Sequence, residues 1–246
     1  LEANWKDQIG DFQYSISGNM AFLHNEITSL APTIDRIGGH TVTGAHLQTA
    51  CEVGMPIWFI RGYKYLGIDA EGNPVIDQSK GANPDKVEQD DIQPIGSGIP
   101  AVTYGITLSA AWKGFDLTVF GTGVGGADVY LGLYRTDRPL CNTFAVYHEE
   151  SFDKKGAAAM YPKASTIASN NSFWSSSATV WDASFFKIKQ IQLGYTLPES
   201  LTKKVAISNL RLYASLDDYF TFTKYPGLDP ETATTGGGNQ IGVDTG

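Results

Sequence analysis

The chain has 246 residues, of which 42% are hydrophobic and 12% aromatic, with only 18 basic and 26 acidic side chains. This length and apolar content support one sizeable core or at most two small domains, and they exclude a disordered chain. The net charge of −8 argues against nucleic acid or an anionic lipid surface as a partner. The longest apolar stretch, residues 55–60, is far shorter than the roughly 20 residues that a membrane-spanning helix needs.

The N-terminal region predicts two strands joined by a short connection at residues 6–10. Leu1 to Trp5 alternates apolar and polar residues, as if the chain began inside a strand. From Phe12 to Phe22 the even positions are apolar or glycine, whereas the odd positions are small or polar. This second stretch therefore predicts a strand with two unlike faces.

A β-hairpin pattern follows at residues 104–122. Even positions are apolar up to Trp112, and odd positions are apolar from Phe115 onward, apart from the glycines. A two-residue turn at Lys113-Gly114 places apolar residues of both strands on the same face. The predicted pairs are Trp112 with Phe115, Ala110 with Leu117 and Leu108 with Val119.

Two further strands are predicted near the C-terminus. In residues 185–197 the apolar residues change from even to odd positions near Lys189-Gln190. Such a shift by one residue indicates a β-bulge. After Pro198 and a short link, residues 210–222 alternate again and end in an aromatic-rich stretch. From Lys224 on, the sequence is rich in Gly, Thr and Asp, which predicts an unfinished loop without a packing pattern.

The connections between these strands are of two kinds. Those at residues 6–10, 113–114 and 198–208 are short, whereas those at residues 24–102 and 125–183 are long, with at most local strands inside the first. Loops beyond about 15 residues are uncommon in compact domains and are usually functional. Short turns on one side and long loops on the other are typical of an outer-membrane β-barrel.

Two all-β folds fit this pattern, a soluble β-sandwich and an antiparallel transmembrane β-barrel. The polar face of a sandwich is usually charged, but here it consists of Ser, Thr, Gly, Ala and Asn. Aromatic residues also lie at strand ends, as in a membrane-interface girdle. These predicted interface residues are Trp112, Phe115, Tyr195 and Phe220. The pattern favours the barrel and leaves the sandwich open.

Several motifs resemble the SusC/RagA-type TonB-dependent transporters of Bacteroidetes outer membranes. The most specific is ASFFKIKQIQLGYTLP at residues 183–198. It is followed by LRLY at 210–213 and FTFTKYPGLDPE at 220–231. Upstream, WKDQIGDF at 5–12 and PAVTYGITLSAAWKGFD at 100–116 are also similar to family patterns. The resemblance covers nearly the whole chain.

The chain departs from the family pattern at two places. Asp218 stands where the family usually has Asn. Residues 77–85, in a region where an Asp-rich calcium-like loop is frequent, lack the alternating acidic ligands and the glutamate that calcium needs. We therefore expect a solvated acidic loop there and no metal.

The resemblance implies a protein larger than this chain. Family members are barrels similar to transporters of about 22 strands, with an N-terminal plug and a TonB-contacting segment. Residues 1–246 would form a C-terminal portion of the barrel, and we expect the plug and the final strand to lie outside it. The implied partners are the rest of the barrel, a SusD-like surface lipoprotein, TonB, and an oligosaccharide or peptide nutrient.

Aromatic residues of the second long connection are candidates for substrate binding. Trp174, Trp181 and Tyr147 lie there, with Tyr161 nearby. Exposed aromatic rings are the usual platform for sugars, but aromatic residues that pack a loop have the same appearance in a sequence. Both interpretations stay open.

The residue patterns give no reason to expect an enzyme. The four histidines are His24, His40, His46 and His148, and His40 and His46 lie six residues apart in a Gly/Thr-rich loop without Glu or Cys at metal-ligand spacing. No Gly-x-Ser-x-Gly elbow or phosphate-binding glycine loop is present. We therefore predict no catalytic residue, metal or cofactor. The alternatives are a soluble β-rich carbohydrate-binding module and a glycan-active enzyme.

Overall fold

The structure is a computed structural model that describes residues 1–41, 47–84, 86–132, 144–167, 171–205, 207–231 and 238–244. These residues form mainly β-strands. The strands are β1 Glu2–Ile9, β2 Phe12–Phe22, β3 Arg36–Thr41, β4 Gln48–Glu52, β5 Phe59–Gly62, β6 Tyr65–Ile68, β7 Pro74–Ile76, β8 Gln93–Gly96, β9 Val102–Trp112, β10 Phe115–Gly125, β11 Asp128–Leu131, β12 Val180–Asp182, β13 Phe185–Thr196, β14 Arg211–Thr223 and β15 Val243–Asp244.

All helices of the described residues are short. The α-helices are α1 Ala145–Glu149, α2 Phe152–Lys155, α3 Ala164–Ile167, α4 Asn171–Trp174 and α5 Glu199–Thr202. Single 3₁₀ turns lie at Gln89–Asp91, Gly156–Ala158, Ser177–Thr179, Lys203–Val205 and Gly238–Gln240. None of the helices in this part of the chain has the length and apolar character needed to cross a membrane.

The chain divides into two compact units. The sheet unit consists of Leu1–Leu23, Ala101–Gly125 and Ser184–Thr223. The loop unit consists of His24–Pro100, Gly126–Ala183 and Lys224–Gly246, and so contains both long connections. That residues 1–246 are one portion of a larger receptor barrel stays a prediction.

The sheet unit is a six-stranded antiparallel sheet in the order β1-β2-β9-β10-β13-β14. The hairpin prediction is confirmed, because Trp112 lies opposite Phe115 and Leu108 opposite Val119. Lys113 and Gly114 have φ angles of 47° and 89°, as a two-residue turn with two left-handed positions requires. The turn geometry therefore fixes the register that the alternation predicted.

The predicted bulge in the third pair of strands is also confirmed. The register of β13 shifts between Ile188 and Gln190 against both of its neighbours. On β14 the irregularity coincides with Asp218, which has a φ of 51°. The Lys189 Nζ lies 3.0 Å from the Asp218 Oδ1, so an ion pair joins the two irregular positions.

The loop unit contains more regular structure than the sequence predicted. Its strands form the sheets β3-β4-β5-β8, β12-β11-β15 and β6-β7. Residues 24–102 therefore hold six short strands, β3 to β8, within their described part. Buried apolar clusters lie among these elements. They are Tyr147, Tyr161, Phe173, Trp174 and Ala178; Leu47, Ile60 and Tyr130; and Val129, Leu131, Ala183 and Tyr225.

The C-terminal prediction of a loop without packing is wrong for part of that segment. Val243–Asp244 pairs in parallel with β11, and Tyr225 is buried and donates a hydrogen bond to the Asp244 Oδ2 at 2.5 Å. A strand of two residues shows no periodicity, and a single buried tyrosine shows none either. For that reason alternation alone could not reveal this packing.

Candidate functional site

The sheet unit has one continuous apolar face. Residues that lie opposite one another in an antiparallel sheet share a face, so the register assigns each side chain. Ile16, Leu108 and Leu193 of this face are 48%, 43% and 52% exposed. The main apolar positions, strand by strand, are Trp5 and Ile9; Phe12, Ile16, Met20 and Phe22; Tyr104, Ile106, Leu108 and Trp112; Phe115, Leu117 and Val119; Phe186, Ile188, Ile191, Leu193 and Tyr195; and Leu212, Leu216, Phe220 and Phe222. An exposed apolar surface of this extent indicates contact with lipid or protein.

The opposite face of the same sheet is lined mainly with small polar residues, with Phe120 on β10 and Tyr213 on β14 as exceptions. On β2 it presents Ser15, Ser17 and Asn19, and on β9 it presents Thr107 and Ser109. Short hydroxyl and amide side chains bind water without filling the space above the sheet. A wall with one apolar and one small polar face suits a boundary between lipid and a water-filled interior.

Three of the four predicted interface aromatics form one row near the turn end of the sheet. Trp112 lies opposite Phe115, which lies opposite Tyr195, and the Phe115 and Tyr195 rings are 4.5 Å apart at their centroids. Phe12, opposite Trp112, extends the row onto β2. The Lys113 Nζ lies 5.2 Å from the centre of the Trp112 ring. The row therefore combines amphipathic rings with a basic group.

The fourth predicted aromatic lies toward the other end of the sheet. Phe220 is opposite Ile188, and its ring is 4.8 Å from that of Tyr219. Near it, Phe186 stacks on Tyr104 and on Phe222, at centroid distances of 6.0 and 6.5 Å. Tyr104, Phe186 and Phe222 form a second row that was not among the predicted interface aromatics, although the alternation of the three strands places them on one face. The membrane-interface role of both rows stays a prediction.

A cross-strand ion pair lies on the small polar face. The Arg211 guanidinium on β14 donates to both carboxylate oxygens of Asp116 on β10, at 3.0 and 2.5 Å. These strands are not neighbours, and the pair spans β13 at Gly194, where a Cβ atom would lie 2.6 Å from the Asp116 Oδ1. Asp116, Gly194 and Arg211 belong to the motifs GFD, LGY and LRLY, respectively, so three separate family-like motifs meet at this contact.

The predicted substrate-binding aromatics lie in the loop unit. Tyr147 and Trp174 are buried, at 2% and 4% exposure, within the cluster that includes Phe173. Trp181 is half-buried and donates its indole N–H to the Tyr147 Oη at 3.1 Å. The geometry favours the packing interpretation for Tyr147 and Trp174, and substrate contact by any of the three stays a prediction.

Burial also affects the tyrosine hydroxyls of this cluster. The pKa of Tyr161 is raised to about 12, first by burial and then by the charge of Glu150. Burial likewise raises the pKa of Tyr65, whose hydroxyl donates to the Met160 carbonyl at 2.9 Å. Both phenols therefore stay protonated and neutral in the folded protein at pH values above the ordinary tyrosine pKa of 10.0.

The histidines do not assemble a catalytic or metal-binding site in the described part of the chain. His24 and His148 each pair with a nearby glutamate at the surface, and His40 lies 3.4 Å from the Gln240 amide nitrogen. No group of three or more His, Cys, Asp or Glu side chains that could hold a metal occurs among the described residues. His46 lies outside them.

Comparisons with known sequences point to one group of proteins. No family model matches the chain. It is 27% identical over 259 aligned positions to the TonB-dependent receptor P3 of Formosa agariphila, covering 96% of this chain and 25% of that receptor. It is 26% identical to the TonB-dependent receptor SusC of Bacteroides thetaiotaomicron, covering 90% of this chain and 22% of SusC.

Comparisons with solved structures agree. The RagAB peptide transporter superposes with a TM-score of 0.74 at 24% identity, over 99% of this chain and 27% of that one. The RagAB peptide importer in its open-open state gives a TM-score of 0.74 at 25% identity, over 99% and 26% of the two chains.

Together the fold and the comparisons define the class: the chain has the fold of part of a TonB-dependent β-barrel transporter. The recognition made from the motifs is confirmed, and the chain is a segment related to the SusC/RagA-type TonB-dependent transporters. It spans 25% of the P3 receptor and 22% of SusC, about a quarter of the length of these relatives.

Proposed function

We propose that this chain forms part of the barrel wall and long loops of a TonB-dependent outer-membrane importer. The observation that carries the proposal is the apolar face that extends across all six strands of the sheet unit, with Asp7 on the edge strand β1 as an exception, and the mainly small polar residues on the other face. Removing apolar surface from water is favourable by roughly 25 cal/mol per Å². A face of this size therefore requires an apolar surrounding, which lipid provides.

The sheet needs further strands to become a barrel. Within the described residues β1 and β14 each pair on one side only. Unpaired backbone groups in lipid cost several kcal/mol each, so open edges are not stable in a bilayer. The rest of the receptor barrel would pair with both edges, and a plug domain would fill the interior.

The remaining partners and the substrate follow from the similarity to SusC and RagAB. We infer a SusD-like surface lipoprotein, energy from TonB through the N-terminal part of the receptor, and a nutrient that is an oligosaccharide or a peptide. Nucleic acid is not a partner in this proposal. Trp181 is the residue we propose for substrate contact, since it is half-buried, donates a hydrogen bond to the Tyr147 hydroxyl and packs against the buried cluster that contains Tyr147 and Trp174.

Genetics of the complete receptor gene tests this function. Deletion of the gene should abolish growth on one class of oligosaccharide or peptide as sole carbon source, and loss of TonB should have the same effect. The receptor should fractionate with the outer membrane. Recovery of the product as a freely soluble protein that unfolds cooperatively without detergent would instead establish the soluble carbohydrate-binding module.

A further inference from the structure

An open pocket in the loop unit contains an unusual arrangement of charged groups. The pocket has a volume of about 900 Å³ and is lined by residues 33–37, Glu52 and Arg61. Arg36 on β3 lies directly opposite Glu52 on β4, and Arg61 lies on β5, the next strand of the same sheet. The sheet thus brings two guanidinium groups to one carboxylate.

Glu52 does not accept hydrogen bonds from all the guanidinium N–H groups near it. Its Oε1 lies 3.6 Å from the Arg36 Nη1 and 3.2 Å from the Arg61 Nε. Even so, the Arg61 Nε is buried and has no hydrogen-bond partner among the described residues, since its N–H does not point at that oxygen. Among the described residues the Arg61 guanidinium makes one hydrogen bond, a long one of 3.4 Å from Nη2 to the Ile92 carbonyl.

The buried end of the pocket therefore carries a guanidinium whose hydrogen-bonding capacity is only partly used. The Arg61 side chain is only 12% exposed, and burial lowers its pKa, with a further lowering from Arg36 that Glu52 opposes. Arginine stays charged under these conditions, so an anion is a favourable ligand. Asp35 and Arg36 also line the pocket, and both are exposed, so solvent weakens the interactions of both charges.

We propose that this pocket binds a carboxylate-bearing ligand, with Arg61 and Arg36 as the recognising groups. A planar guanidinium matches the two oxygens of a carboxylate, and such charged hydrogen bonds are the stronger kind. The inference rests on the proposed import function, since an incoming peptide or acidic sugar would supply the carboxylate. It adds to that function an anion-recognising site outside the sheet unit.

Calorimetric titration of the complete receptor, purified in detergent at low chloride, tests the inference. The probes are trialanine and its C-terminal amide, and glucuronate and glucose, which distinguish a peptide source from a sugar source. We expect trialanine or glucuronate to bind and its uncharged counterpart to bind at least tenfold more weakly. Binding should weaken as salt is added.

Three substitutions and one control identify the residues. Arg61→Gln should weaken carboxylate binding at least tenfold, and Arg61→Lys should weaken it less, since the charge remains without the planar fork. Glu52→Gln should strengthen binding several-fold because it frees both guanidiniums. Lys64→Gln removes an equal charge from an exposed position that does not line the pocket, and it should change little.

Two results would overturn the inference. One is that neither trialanine nor glucuronate binds to the unmodified receptor or to the Glu52→Gln variant. The other is that Lys64→Gln weakens binding as much as Arg61→Gln does. If Arg61→Gln does not fold, Arg61→Lys and Glu52→Gln decide the matter. TonB-dependent uptake without carboxylate binding would refute the pocket and leave the importer intact. Failure to reach the outer membrane would refute the importer, and the titration would still report on the pocket.

Discussion

At the residue scale, glycines on the apolar face let aromatic rings reach across the sheet. Gly123 lies opposite Tyr104 on one side and Phe186 on the other. The Tyr104 ring crosses over Gly123 and donates its hydroxyl to the Phe185 carbonyl at 3.2 Å. A Cβ atom on Gly123 would lie 2.6 Å from the Tyr104 Oη and would also overlap the Phe185 carbonyl. The position therefore requires glycine for space.

Gly123→Ala should therefore destabilise the sheet unit by roughly 1–3 kcal/mol, the usual cost of overpacking. The measurement is the apparent midpoint of thermal unfolding of the complete receptor in detergent. Gly18→Ala is the control, because its nearest neighbour would be the Gly105 carbonyl at 3.8 Å. Equal midpoints for the two variants would show that the packing of the Tyr104 ring does not depend on the space above Gly123.

At the element scale, the hairpin of β9 and β10 places neighbouring residues in unlike surroundings. Leu108 lies opposite Ile16 and Val119 on the apolar face, near the middle of β9. Ser109 follows on the small polar face, opposite Ser15. If lipid covers the apolar face, the two positions should respond differently to the same charge.

Leu108→Arg should lower the stability of the complete receptor in lipid vesicles by roughly 2–4 kcal/mol, whereas Ser109→Arg should cost much less. Denaturant titration of the refolded receptor measures both values. A greater loss at Ser109 than at Leu108 would reverse the assignment of the two faces.

The aromatic cluster of the loop unit predicts a pH dependence. The pKa of Tyr161 is about 12 in the folded chain against an ordinary 10.0, so the folded state holds its proton longer than the unfolded state. Its contribution to stability is complete below pH 10 and falls as the pH rises from 10 to 12, by roughly 2 kcal/mol in total.

Unfolding midpoints between pH 9 and 11.5 should therefore fall less steeply for Tyr161→Phe than for the unmodified receptor. Below pH 10 the two proteins should keep a constant difference, since the variant lacks only the titrating hydroxyl. Parallel curves over the whole range would contradict the burial of a neutral phenol at this position.

At the scale of the whole molecule, the sheet unit was predictable from sequence and the loop unit was not. The register of β9 and β10 follows from a period of two and a two-residue turn, both of which are local. The bulge near Lys189 appears in the sequence as a slip in the apolar phase.

The loop unit depends on contacts between distant segments. Leu47, Ile60 and Tyr130 form one buried cluster, yet no local pattern joins them. The burial of Tyr147 and Trp174, and the approach of Arg61 to Glu52, likewise arise only when separate segments fold together. Because these contacts join distant segments, the sequence could not distinguish exposed aromatic residues that bind a sugar from aromatic residues packed in a cluster.

The most direct test of the central claim is a spin-label accessibility scan of β9 in the complete receptor. Single cysteines at residues 106–111, in a background without native cysteines and in outer-membrane vesicles, report contact with oxygen in lipid and with a water-soluble nickel chelate. We expect high oxygen contact at Ile106, Leu108 and Ala110, and lower oxygen contact with greater nickel contact at Thr107, Ser109 and Ala111. Equal access to water at all six positions would contradict a lipid-facing barrel wall.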